Sequence, residues 1–252
     1  MAYKCLACGA PLSEVGGRLE CDFCGSSFAK SDFAPATPKG ATAPVQKSNT
    51  GADVFDQNIG GILEIRWQDE KYVHSGSGFL INSEGYAITN THVVTHEDGR
   101  SCGTVSVKIN GENLTASVVA LGDNKHGLGS GIDLAIIKLN RVPFNAKILQ
   151  FEDFNNVRIG QQVYVVGNSL GYGTCITSGI VSDKARNVNG KMLLMTDCAV
   201  NGGNSGGPIF NDKGLVIGAI VSGIDNAEGM NFAIPSSAVI EFIRRYRISA
   251  SY

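Results

Sequence analysis

The sequence predicts an all-β protein built of barrels, with one C-terminal helix and a small cysteine-rich module in front. Three observations carry this. Charged residues make up only 17% of the 252-residue chain while glycines number 32, a balance that suits strands and turns better than helices. Short β-compatible runs follow one another from residue 59 to residue 234, with turn signals between them. Four of the seven cysteines stand in two Cys-x-x-Cys pairs within the first 24 residues. Apolar residues at 43% are enough for a sizeable core, and a net charge of −2 gives no reason to expect nucleic acid or an anionic membrane as partner. No run approaches the ~18 apolar residues of a membrane-spanning helix.

The cysteine module comes first. Residues 5–24 read Cys5-Leu-Ala-Cys8, a spacer, then Cys21-Asp-Phe-Cys24. Two such knuckles joined by a hairpin bring four thiolates into a tetrahedron, which suits zinc; an iron centre or a redox dithiol uses the same pairs. A module of ~30 residues cannot bury enough surface to fold unaided, so a structural metal is expected. The segment 1–30 resembles a zinc ribbon, with Cys5, Cys8, Cys21 and Cys24 as ligands of a structural Zn2+. Its charges balance, Lys4, Arg18 and Lys30 against Glu14, Glu20 and Asp22. A ribbon that binds nucleic acid usually shows a basic face, so a protein partner or a regulatory role is expected instead. The residues before Cys5 lack the apolar core of an export signal, which reads as a cytoplasmic protein with reduced thiols.

From 31 to 51 the composition shifts to Pro, Ala, Thr, Lys and Ser with no apolar periodicity, and a linker is expected. The segment 52–252 then carries strand-like runs at 59–66, 76–81, 86–89, 105–109, 116–121, 134–139, 162–166, 176–181, 192–197, 209–210, 216–222 and 231–234. The one helix expected is the tail. Pro235-Ser236-Ser237 starts it, and Val239, Ile240, Phe242, Ile243 and Tyr246 form an apolar face to pack on the last strands.

The chemistry centres on Gly202-Gly-Asn-Ser-Gly-Gly-Pro208. Glycine permits positive φ and close approach to the main chain. A nucleophilic Ser205 needs both, because backbone N–H groups must face the oxygen that becomes negative. Taken alone, the stretch reads equally as a tight surface turn. A base and a carboxylate must join it. Among the histidines, His92 ends an apolar strand and can look into a cleft, whereas His74, His96 and His126 sit in polar or glycine-rich turns and read as solvent-exposed. Asp133 opens the apolar run Asp133–Leu139, is half buried there and must find a donor. Cys175 and Cys198 read as small buried apolar residues.

Seven motifs in one order make the combination specific. They are Gly-Ser-Gly-Phe at 76–79, Thr-Asn-Thr-His-Val-Val at 89–94, Asp-Leu-Ala-Ile-Ile-Lys-Leu at 133–139, Gly-Asn-Ser-Leu-Gly at 167–171, Thr-Ser-Gly-Ile-Val-Ser at 177–182, Gly-Asn-Ser-Gly-Gly-Pro at 203–208 and Asn-Phe-Ala-Ile-Pro at 231–235. Together they resemble the HtrA/Do-like branch of the trypsin-like serine proteases, over about three quarters of the chain. The resemblance implies two six-stranded antiparallel barrels with the site between them. It implies Ser205 as nucleophile, His92 as general base and acid, and Asp133 as its orienter, with no cofactor for catalysis. The backbone N–H groups of Gly203 and Ser205 would form the oxyanion hole. The substrate pocket would be walled by Val200, Asn201, Ile220, Val221 and Ser222, with Met230 and Phe232 nearby. No carboxylate falls at its base, Asp197 being structural, so cleavage of protein or peptide substrates after small or medium apolar residues is expected.

The sequence departs from that branch in two ways. It ends at Tyr252 just past the final helix, so no PDZ domain is expected, and the ribbon stands where a targeting region would be. The ribbon would then serve targeting or assembly, and an oligomer fits this picture. The alternative reading is a binding or chaperone-like protein on a protease fold, with a resting or inactive site.

Overall fold

Gly16 and Gly17 both take left-handed backbone, φ +57° and +85°. That pair makes the two-residue turn that lets Ser13–Val15 (β1) pair antiparallel with Arg18–Glu20 (β2), and Ser27–Phe28 (β3) adds to β2. The computed structural model describes residues 3–5, 10–22, 25–33, 49–123, 131–223 and 229–251, at Ser31, Ser222 and Gly223 the main chain only. It divides into two units, Met1–Lys47 and Ser48–Tyr252.

In the first unit Leu19 is buried in the little sheet, and Phe33 closes over Tyr3 and Phe28 with edge-on ring contacts at 5.2 and 5.7 Å. Cys5 and Cys21 are buried. Cys8 and Cys24, and most of the expected linker, lie outside the described residues.

The second unit begins with a helix that the sequence reading does not give. Thr50 accepts the Asp53 N–H while Asp53 accepts the Thr50 N–H at 2.8 Å, a capping box that starts Gly51–Asn58 (α1). Strands then follow in chain order: Ile62–Gln68 (β4), Val73–Leu80 (β5), Tyr86–Thr89 (β6), Thr104–Ile109 (β7), Glu112–Leu121 (β8) and Ala135–Leu139 (β9). After them come Gln162–Asn168 (β10), Thr174–Val188 (β11), Lys191–Thr196 (β12), Pro208–Asn211 (β13), Val216–Gly223 (β14) and Asn231–Pro235 (β15). The chain closes on Ser236–Arg245 (α2).

Pairing closes two barrels, in the orders β4-β5-β6-β9-β8-β7 and β10-β11-β12-β15-β14-β13. Every neighbouring pair is antiparallel. Period-2 alternation decides which side chains fill them. On β7, Val105, Val107 and Ile109 are buried while Thr104, Ser106 and Lys108 are exposed. Leu63, Ile65, Leu80 and Ile137 join them in one core. Val163, Val165, Leu194, Ile209 and Ile220 fill the other. A third cluster draws on both barrels, with Phe79 and Ile88 against Phe210, Val221 and Phe232. The apolar face of α2 caps this cluster through Val239, Phe242 and Ile243, as its spacing predicts.

The longest departure from the expected strands is β11, which runs to Val188 rather than stopping near 181. Asn189 and Gly190 take φ +51° and +83°, so Asn-Gly forms the tight turn that continues β11 into β12.

Candidate active site

The turn after β6 and the residues entering β9 are tied together by the motif side chains themselves. Asn90 Nδ2 donates to the Asp133 carbonyl and Thr91 Oγ1 to the Leu134 carbonyl, both at 2.7 Å. This brings His92 onto Asp133. His92 Nδ1 lies 2.6 Å from Asp133 Oδ2, and the His92 N–H donates to Asp133 Oδ1 at 3.1 Å. Asp133 is 1% exposed and the His92 side chain 30%. An ionised carboxylate only accepts, so Nδ1 carries the proton and Nε2 presents its lone pair to the partly open side.

Ser205 comes from the second barrel, on the loop between β12 and β13. Its carbonyl accepts the N–H of Ser77 on β5 at 2.8 Å, and its Oγ donates to the Val221 carbonyl at 3.1 Å. Gly203 has φ +91°, open to glycine and costly to other residues. The Gly202 carbonyl accepts the Leu170 N–H at 2.6 Å. The N–H and C=O of a trans peptide point opposite ways, so the Gly203 N–H faces away from Leu170. Among the described residues, neither the Gly203 nor the Ser205 N–H has a hydrogen-bond acceptor. Leu170 itself sits at φ +53°, unusual for a branched apolar residue, and is 63% exposed.

The expected pocket residues divide. Val200 is half-buried against the second barrel's core, and Asn201 is exposed with Nδ2 3.3 Å from Ser169 Oγ. Ile220 and Val221 offer no side-chain wall, because neighbouring positions on β14 point into two different apolar clusters and both are enclosed. What Val221 offers the site is its carbonyl. Nothing is described of the Ser222 side chain. Asp197 Oδ1 accepts the Ile180 N–H at 2.6 Å, which ties β11 to the end of β12.

Three further expectations change. His74 is not free in solvent; it stacks flat on Trp67 at 4.0 Å and bonds Asp69 at 2.9 Å, and His96 meets the same indole edge-on at 4.8 Å. His126 lies outside the described residues. Cys175 is exposed at the start of β11, whereas Cys198 is buried. The residues that sequence reasoning missed are Ser77, Asn90, Thr91 and Leu170, whose partners lie far away in the chain. Among the described residues, the buried side-chain atoms without a hydrogen bond are Asn90 Oδ1, Asn168 Nδ2 and Asn204 Oδ1, all in the segments that carry this site.

In the first unit, Cys5 and Cys21 head two turns of the same pattern. The Cys5 N–H donates to the Ala10 carbonyl at 2.8 Å and the Cys21 N–H to the Ser26 carbonyl at 2.9 Å. Gly25, at φ +72°, donates back to the Cys21 carbonyl. Buried sulfurs at the heads of matched turns fit a thiolate-bound metal.

Comparison with known proteins points the same way as the site. Residues 76–218 match the family model described as "Trypsin-like peptidase domain". The chain is 38% identical over 194 residues to a "Probable periplasmic serine endoprotease DegP-like" of Brucella suis, covering 75% of this chain and 36% of that protein. It is 39% identical over 171 residues to a protein of the same description from Chlamydia trachomatis, covering 64% and 31%. The chain thus spans about a third of the length of these curated relatives. Among solved structures, the serine endoprotease of Yersinia pestis is 25% identical with a TM-score of 0.65, over 79% of this chain and 67% of that one. The HtrA-type protease AlgW with a tripeptide is 25% identical with a TM-score of 0.66, over 77% and 62%. The cytoplasmic expectation is corrected here. The relatives are named periplasmic, which points away from the cytoplasmic reading taken from the residues before Cys5. Among the described residues, no helix is long and apolar enough to cross a membrane. The chain belongs to the trypsin-like peptidase domain family, with HtrA/DegP-like serine proteases as its relatives.

Proposed function

We propose that this chain is a serine endopeptidase in which Ser205, His92 and Asp133 act as one unit. The observation that carries the reading is the pairing of His92 Nδ1 with buried Asp133 at 2.6 Å, which leaves Nε2 free to act as a base. Ser205 Oγ turns from the Val221 carbonyl to His92, loses its proton to Nε2 and attacks the scissile carbonyl carbon. The tetrahedral oxyanion lies between the N–H groups of Gly203 and Ser205. His92 then returns the proton to the leaving amine, and an acyl group stays on Oγ. Water, deprotonated by His92, releases the acid and restores the serine. Asp133 holds the imidazole and stabilises its charged form without taking the proton.

The substrates are protein or peptide chains, and a tripeptide complex of an HtrA-type relative favours this class. Cleavage follows small or medium apolar residues. Val200 is apolar, and Asp197 is committed to the Ile180 N–H. A peptide library cut mainly after Arg would sink that preference. The Cys5, Cys8, Cys21 and Cys24 thiolates hold a structural Zn2+, which supplies folding energy to the first unit, and that unit binds a protein partner.

A covalent fluorophosphonate probe tests the reaction class. Wild type should label; Ser205→Ala should not, and His92→Ala should label about 10⁴-fold more slowly. Labelling of all three moves the nucleophile elsewhere. No labelling of wild type, with binding of unfolded chains intact, gives the site to the binding or chaperone-like reading.

A further inference from the structure

We infer that Ser77 is a positioning residue for the oxyanion loop: one buried hydroxyl of the first barrel sets the shape of the backbone around Gly203. This rests on the reading of Ser205 as nucleophile. Ser77 lies on β5 and is 0% exposed. Each of its polar groups is spent on a segment that carries the site. Its N–H donates to the Ser205 carbonyl at 2.8 Å, and its own carbonyl accepts Thr89 Oγ1 at 2.7 Å. Its Oγ accepts the Asn168 N–H at 2.8 Å and donates to the Gly203 carbonyl at 2.6 Å.

The polarity of that last bond is forced. A hydroxyl has one proton, the Asn168 N–H approaches a lone pair, and the Gly203 carbonyl can only accept. Ser77 therefore holds the carbonyl just after the Gly203 Cα, and the Leu170 N–H holds the carbonyl just before it. Both peptides flanking Gly203 are fixed by groups outside the loop. The peptide held by Leu170 carries the Gly203 N–H, and the one held by Ser77 carries the Asn204 N–H, which donates to the Asn201 carbonyl at 3.1 Å, so the two holds fix the Gly203 backbone between them. Glycine alone would leave this stretch free to rotate; the two clamps select the rotation at φ +91°.

The packing around Ser77 leaves little slack. A Cβ added at Gly207 would stand 3.1 Å from the Ser77 Cβ, and one at Gly206 would stand 2.3 Å from the Ser77 carbonyl oxygen. A hydroxyl that served packing alone would be dispensable to the reaction. One that holds the Gly203 backbone, and through it the neighbouring oxyanion donor, would not.

The full-length protein, wild type and with Ser77→Ala or Ser77→Cys, tests this by its second-order rate of labelling with a fluorophosphonate, whose oxygen occupies the oxyanion position. Ser77→Ala should label about 10²-fold more slowly, the scale of losing one oxyanion donor. The pH midpoint of labelling, which reports His92, should not move. Ser77→Cys keeps a weaker donor and should fall between the two. Ser77→Ala labelling within about threefold of wild type overturns the inference while leaving Ser205 as nucleophile. If Ser77→Ala does not fold, a Ser77→Cys rate equal to wild type overturns it instead. A shifted pH midpoint assigns the loss to the His92–Asp133 pair and also overturns it. A wild type that does not label overturns both readings.

Discussion

Gly203 leaves no room for a side chain: a Cβ there would stand 2.2 Å from the Asn168 carbonyl oxygen, on a backbone already at φ +91°. Gly203→Ala must move the loop, and its N–H with it. We expect kcat to fall about 10²–10³-fold with little change in KM, read from steady-state peptide hydrolysis. An unchanged kcat would remove this N–H from the mechanism. The cysteines offer a second check at the same scale. Burial pushes the Cys198 thiol up to about 11, so little thiolate exists at pH 8. Iodoacetamide at pH 8, followed by peptide mapping, should modify exposed Cys175 well before Cys198; the reverse order would contradict the buried placement. Sequence reading points to His92, Asp133 and Ser205 because each stands in a specific motif and only four histidines compete for the base. It could not give Ser77. A serine in a strand has no signature until the chain brings Gly203 to it from 126 residues away.

Loops and strand ends show where local signals fell short. The capping box at Thr50 and the Asn189-Gly190 turn are both readable signals, yet the first hides beside a proline-rich stretch and the second inside a polar run. The β4–β5 turn is different, because its order comes from contacts across elements. Asp69 accepts from His74 and from the N–H groups of Lys71 and Tyr72, with His96 Nδ1 at 3.9 Å, and both imidazoles pack on the Trp67 indole. The His74 bond first, then the two N–H bonds, hold the Asp69 carboxyl at about 2, below its ordinary 3.8. A depressed carboxyl contributes stability that is present above its ordinary value and lost as pH falls through its folded value. Wild type and Asp69→Asn should therefore differ in thermal midpoint at pH 4, and the gap should close toward pH 2. A gap constant across that window would show that the carboxylate charge contributes nothing to the turn.

Across the whole molecule, one strand order used twice makes two barrels, and the third apolar cluster plus a few polar bonds seat one against the other. Arg66 donates to the Gly171 carbonyl at 2.6 Å and Thr174 to Glu64 at 3.1 Å beside the Ser77 clamps. Phe79 is buried in the shared cluster, edge-on to Phe151 at 6.0 Å, so Phe79→Ala should cost about 3–5 kcal/mol in urea unfolding. A loss under about 1 kcal/mol would mean that the cluster collapses around the gap. The first unit cannot draw on such a core. Its described sheet has three strands, the shortest of two residues, with Leu19 as its buried aliphatic. A fold that small needs a staple, and Cys5 and Cys21 at the heads of matched turns would supply half of one. The full-length protein should carry about one zinc per chain by elemental analysis. Stripping it with a chelator should raise hydrogen exchange throughout residues 10–33, while the strands of both barrels keep their protection. Cys21→Ser should reproduce the stripped state without chelator. Purified protein with no zinc or other thiophilic metal, and a first unit equally protected with and without chelator, would mean that the cysteine pairs hold this sheet some other way.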